Sequence, residues 1–245
     1  MCGRFGFFEL RYFVDRLRQL ELPFEQDKEY RFMPGYNIAP ESIITVLIGE
    51  EYANVLRNAL WGLIPHWAQS LPKVRPINAR SESLDSKPYF RYMLNHRHCL
   101  IPASGFYEWN GKSKNERSCK HEGKQAEKNK EPKQPFYIHR ADGQPMAFAG
   151  LWDIWQPPDP EKKAVTSCTI ITTEANADML PVHERMPVIV EPKNWGLWLQ
   201  ADKGVALDLL KPAEKGVLDI YPVSARINNP QYIRKDCIVP LSGNG

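Results

Sequence analysis

The chain has 245 residues, 42% of them hydrophobic, 25% charged, and a formal net charge of +3. That length and apolar content suit one domain over 1–245 with its own core. No apolar run reaches the length of a membrane span, and the aromatic, mixed-charge N-terminal stretch lacks a signal-peptide core, so a cytoplasmic protein without a membrane partner is expected.

Residues 8–21 (FELRYFVDRLRQLE) put Leu10, Phe13, Val14, Leu17 and Leu20 at helical spacing, and Pro23 closes that helix. Beyond Tyr36 the texture turns to short β-rich runs, SIITVLIG and NVLRNALWGLIP. A short helix over 88–95 interrupts them, and strands resume at HCLIPA, GFYEW, PFYIHR, MAFAGLWDIW and TSCTIITT. Asn176 is placed to cap a helical turn through NADMLPVHE, which Pro181 keeps short. A strand at MPVIV, amphipathic helices near 192–200 and 203–211, and a last strand in VLDIYPVSA complete the series. Many strands with few alternating helices predict an α+β fold of mainly antiparallel, barrel-like sheet with flanking helices.

Between GFYEW and PFYIHR, residues 111–134 are dense in Lys and Glu and nearly free of large apolar side chains. Such a stretch cannot bury enough surface to order itself, so a flexible surface insertion is expected. The odd total of five cysteines does not suggest a disulfide framework. Cys99, Cys168 and Cys237 lie in apolar, strand-like runs and read as buried free thiols. In NHRHC (95–99) the histidines invite a metal, but no second Cys/His pair stands at zinc-site spacing.

Chemistry enters with Cys2. Methionine is normally removed before a small residue, leaving Cys2 with both an α-amine and a thiol. The amine titrates at roughly 7.7–8, so part of it is neutral and nucleophilic near neutral pH. An amine and a thiol so placed condense with an aldehyde, first to a Schiff base and then to a thiazolidine. Taken alone, a cysteine in second position is more often inert.

Asn78 and Arg80 in PINARSES are two apart, so on a strand both would leave one face, Arg80 toward a phosphate and Asn78 toward a sugar or reacting oxygen. Glu108 lies between Tyr107 and Trp109, and a carboxylate among rings suits a proton shuttle, although strand alternation points it opposite to both, which leaves simple exposure to water as an equal alternative. His183 and Arg185 occupy a polar gap between apolar runs, a place for an acid or base beside an anion contact. Trp67, after His66 in a turn-prone loop, is a candidate to stack on a base, whereas Trp61 belongs in the core.

Taken in order, MCGR, YNIAP, WGLIPHW, INAR, ASGFYEW, QPFYI, HERMP and YPVS resemble the SOS-response-associated peptidase (SRAP) family, from Cys2 to about Asn228. The resemblance implies an abasic-site-processing protein that crosslinks to single-stranded DNA, with lyase chemistry as a side reaction. It implies no metal or organic cofactor, and a monomer. Carried over residue by residue, Cys2 is the nucleophile freed by autocatalytic loss of Met1. Asn78 helps hold the crosslink, Glu108 shuttles protons and His183 assists sugar opening. Arg4, Arg80 and Arg185 contact phosphates, and Trp67 wedges against the bases. Ala68 departs from the second aromatic common in relatives, which implies weaker wedging, and the 111–134 insertion is longer than in many. Two rival readings remain open: a cysteine or N-terminal-nucleophile hydrolase using Cys2 and His183, and a non-catalytic nucleic-acid-binding module built on the arginines and Trp67.

Overall fold

The computed structural model describes residues 2–50, 53–110 and 133–241. All but the last two residues of the 111–134 insertion lie outside the described residues. The strands in chain order are β1 (Phe5–Phe7), β2 (Phe24–Gln26), β3 (Gly35–Ile38), β4 (Ile43–Gly49), β5 (Asn54–Trp61), β6 (Asn78–Arg80), β7 (His98–Ala103), β8 (Gly105–Trp109), β9 (Pro135–Arg140), β10 (Met146–Trp155), β11 (Val165–Glu174), β12 (Arg185–Pro187) and β13 (Leu218–Pro222). The helices are α1 (Leu10–Gln19), α2 (Pro88–His96), α3 (Trp195–Leu199) and α4 (Lys203–Leu209).

β11 pairs antiparallel with β10 and parallel with β5, through Ser167 opposite Leu60 and Cys168 opposite Trp61. Because β5, β4, β7 and β10 lead back to β11, the sheet closes into a barrel, which removes exposed edges from those strands. Closure explains why HCLIPA and most of MAFAGLWDIW read as continuous apolar runs: nearly every residue in them is buried. β5 ends at Trp61, the chain loops outward over 62–77, and β6 returns beside the same β11, with Asn78 opposite Ile170 and Arg80 opposite Thr172. Gly62 opens that loop at φ 149°, a conformation that L side chains rarely adopt.

A second sheet, in the order β13-β9-β8-β1-β3, packs on the barrel. Phe5, Phe106 and Ile138 join the main core, with Phe5 edge-on to Trp61 at 5.2 Å and to Phe148 at 6.0 Å. Tyr107 and Tyr137 look the other way, into a smaller cluster with Val223, Ile227 and Cys237. A Cβ on Gly105 would lie 2.3 Å from the Tyr137 ring, so glycine there lets that ring close over the start of β8.

The α+β, barrel-like expectation holds, and Trp61 is fully buried. Differences fall in the short elements. The helix expected over 8–21 starts only at Leu10, because the chain before it is committed to β1. MPVIV contributes just Met186 and Pro187 to β12, followed by a single bridge from Ile189 to Phe148. The segment after Asn176 stays a series of turns, although Asn176 Oδ1 does accept from the Met179 N–H at 3.0 Å. Strands β1, β2, β3 and β6 are three or four residues each, too short to show a period, and they exist through pairing with distant chain. Cys99, Cys168 and Cys237 are buried and free. Among the described residues no helix is long and apolar enough to cross a membrane, and no group of His, Cys, Asp and Glu could hold a metal ion.

Candidate functional site

The segment from Cys2 to β1 is built into the protein. β1 lies inside its sheet, and the Tyr107 N–H bonds to the Arg4 carbonyl at 2.9 Å, so Cys2 is drawn to the junction of the sheet with the barrel and is fully buried. Asn78 Nδ2 donates to the Cys2 carbonyl at 2.7 Å, joining β6 to the N-terminal segment. The amide orientation follows from this bond, since only the nitrogen can donate to a carbonyl. Asn78 Oδ1 is buried and accepts no hydrogen bond among the described residues.

Glu108 is the third member of the group. The sequence left open whether it faces water; it is 3% exposed. Alternation along β8 does set it opposite Tyr107 and Trp109, but the face it shares with Phe106 is the one that covers the barrel. Burial pushes the ionisation of the Cys2 thiol well up, and the nearby Glu108 carboxylate pushes it further.

His183 and Arg185 come to β11 through β12. The backbone N–H of Arg185 donates to His183 Nδ1 at 2.9 Å, which places the proton of a neutral ring on Nε2. Arg185 grips both Glu82 oxygens, at 2.5 and 3.1 Å, and donates to the Thr172 carbonyl at 2.7 Å. Arg80 stands opposite Thr172 on the other side of β11 and is exposed. Arg4 donates to Asn37 Oδ1 and to the Ile227 carbonyl, both at 2.8 Å, and its guanidinium lies 5.9 Å from the Trp109 ring. Trp67 is 56% exposed on the 62–77 loop, edge-on to Tyr89 at 5.7 Å.

The structure thus joins Cys2, Asn78 and Glu108 in one buried group, and Arg80, His183 and Arg185 around β11. Trp67 stands apart on its own loop. Sequence reasoning missed Asn37 and Glu82. Asn37 is 3% exposed and donates to the carbonyls of Ile227, Asn229 and Tyr232, so it fixes both Arg4 and the C-terminal segment. The motif YNIAP already contained it, with nothing local to show what it bonds.

The fold thus sets a buried cysteine in the flank of a barrel beside an N-terminal strand, its carbonyl held by Asn78 and Glu108 close by. The chain matches the family model of the SOS response associated peptidase (SRAP) over residues 1–230 and belongs to that family. It is 36% identical over 239 residues to abasic site processing protein YoqW of Bacillus subtilis (strain 168), covering 94% of this chain and 96% of that one. Abasic site processing protein HMCES of Gallus gallus is 28% identical over 273 residues, covering 98% of this chain and 78% of that one. The fold is shared with the X-ray crystal structure of a protein from Bacteroides thetaiotaomicron, at a TM-score of 0.78 and 22% identity over 98% of this chain and 100% of that one.

Proposed function

We propose that this protein recognises abasic sites in single-stranded DNA and captures them covalently through Cys2, as a monomer without a metal or organic cofactor. The open form of an abasic deoxyribose carries an aldehyde at C1′. Autocatalytic loss of Met1 gives Cys2 a free α-amine. The amine adds to C1′ and water leaves, forming an imine. The thiol then adds across the C=N bond, sulfur to carbon and its proton to nitrogen, closing a thiazolidine. The same imine permits β-elimination of the 3′ phosphate, a minor lyase reaction.

The observation that carries this reading is the placement of Cys2, fully buried with its carbonyl held by Asn78 and with Glu108 nearby. Burial and Glu108 both disfavour its thiolate, the reverse of what a hydrolase needs when a thiolate is its nucleophile. A thiol kept protonated suits a mechanism in which the amine attacks first and the sulfur follows. Glu108 then relays the thiol proton, and His183, with its proton on Nε2, serves the ring oxygen as the sugar opens. Asn78 holds Cys2 by its carbonyl and keeps Oδ1 as an acceptor for the new amine. Arg80, exposed beside β11, takes a flanking phosphate, with Arg4 and Arg185 as further phosphate contacts and Trp67 against the bases.

The test is incubation with an abasic single-stranded oligonucleotide, followed by denaturing electrophoresis and mass spectrometry. Protein lacking Met1 forms a hydroxylamine-resistant adduct. Cys2→Ala loses it but retains a borohydride-trappable imine, because its amine remains. Adduct formation by protein that keeps Met1 would overturn the assignment.

A further inference from the structure

Asp153 on β10 is fully buried, yet its partners are a loop residue and its own neighbour. Oδ2 accepts from the backbone N–H of His66 and from His66 Nδ1, each at 2.8 Å, while Oδ1 accepts from the Ile154 N–H at 2.9 Å. Directly across the β10–β11 ladder stands Ser167, also fully buried. Its hydroxyl accepts from the Ile64 N–H at 2.8 Å and donates to the Ile64 carbonyl at 3.3 Å. Two residues along β10 from Asp153, Trp155 Nε1 donates to the Ala68 carbonyl at 2.6 Å. Residues 64, 66 and 68 are therefore fastened to the barrel wall, and the fastenings bracket Trp67.

A buried carboxylate is costly unless its hydrogen bonds are met, and here they are met by holding a surface loop in one shape. What that loop displays is apolar: Trp67 is 56% exposed, Leu71 52% and Val74 79%. Lys73 within the loop and Arg80 just beyond it are exposed cations. An exposed indole on a loop that also carries an exposed lysine fits a nucleobase and its phosphates, because every base offers a π-face to stack on. A loop already fixed before binding also avoids the ordering entropy a mobile one would lose.

We infer that Asp153, Ser167 and Trp155 are positioning residues: through His66, Ile64 and Ala68 they hold Trp67 out as a rigid platform on which a base of the bound single strand stacks. The inference rests on the nucleic-acid reading above. His66 is the place to test it, because it lies on the surface and can be changed without altering a barrel strand. In His66→Ala the Nδ1 donor is lost. In His66→Asn the amide N–H occupies the place of Nδ1 and can still reach Asp153.

The experiment measures binding of an intact single-stranded oligonucleotide, and adduct formation with an abasic one, for the wild type, His66→Ala, His66→Asn, Trp67→Ala and the His66→Ala/Trp67→Ala double variant. Trp67→Ala is expected to weaken binding roughly 5- to 150-fold, and His66→Ala to weaken it by a smaller factor. His66→Asn should stay within about twofold of wild type, and His66→Ala should cost nothing further once Trp67 is gone. The adduct rate at saturating DNA is unchanged in the His66 variants while the half-saturating concentration rises in His66→Ala. An equal loss from His66→Ala with and without Trp67, or a His66→Asn variant as weak as His66→Ala, overturns the inference. A wild type that binds the strand and obeys this cycle but forms no adduct supports the clamp and overturns the covalent reading. A wild type that binds no single strand overturns both.

Discussion

Cys2 and Arg80 stand at the two extremes of the candidate site. Cys2 is fully buried, held by Asn78 through its carbonyl and biased by Glu108. Arg80 sits exposed at the end of the same β6 that supplies Asn78. One three-residue strand therefore reaches the buried Cys2 at one end and solvent at the other. The remaining arginines fall between these extremes. Arg4 braces Asn37 and the Ile227 carbonyl, and Arg185 is bound to Glu82 and the Thr172 carbonyl. Residues that look equivalent as anion contacts in the sequence divide here, among the described residues, into one exposed arginine and two whose guanidinium groups bond inside the protein. Burial disfavours the thiolate of Cys2, whereas Arg80 is open to solvent.

That contrast breaks most sharply at Glu108 and His183. If Glu108 of the buried group and His183 beside β11 move protons, Glu108→Gln and His183→Ala slow adduct formation by about 10²–10⁴-fold, with affinity for intact single-stranded DNA nearly unchanged. Single-turnover crosslinking beside a binding titration separates the two quantities, and wild-type rates in both variants would remove the acid–base assignment.

The division among the arginines gives the next largest effect. Arg4→Ala loses two charge-assisted hydrogen bonds and is expected to cost about 2 kcal/mol in denaturant unfolding. Arg80→Ala leaves stability where it is, and reduces the log–log salt slope of single-strand binding by about 0.7. Comparable stability losses in both variants would erase the distinction between the two positions.

Glu82 provides the finest adjustment. The hydrogen bond from Arg185 holds its carboxyl below the ordinary value of 4.5. The folded value lies below the unfolded one, so the pair's contribution is fully present above about pH 4.5 and is lost as pH falls through the folded value. The pair is largely exposed on the Glu82 side, so it is worth about 0.2–1 kcal/mol. Melting scans of Glu82→Gln against pH should therefore differ from wild type above that range and converge with it in acid. The same substitution releases Arg185 and should tighten single-strand binding at low salt.

Much of this molecule was readable locally. The helical stripe of Phe13 and Leu17, the long apolar runs of β7 and β10, and the cap at Asn176 follow from spacing and side-chain chemistry within a few residues. The site residues were also named by their motifs. Their surroundings were not. The surroundings of Glu108 stayed open because alternation gives a direction along a strand, while burial depends on what covers that face. Asn37 and Glu82 passed unnoticed because their partners, Ile227, Tyr232 and Arg185, lie far along the chain. His66 was seen beside Trp67, but its tie to Asp153 crosses from a loop to a barrel strand.

By itself, then, the sequence determined the secondary elements long enough to show a period, the α+β class, and the order of chemically distinctive residues from Cys2 to His183. These depend on covalent neighbours, which the sequence specifies directly. Only the tertiary structure decided that FGF becomes an inner strand, that Cys2 is desolvated beside a carboxylate, and which of the three arginines is exposed. Each of those outcomes depends on pairing between segments far apart in the chain, and on the burial and dielectric environment that such pairing creates.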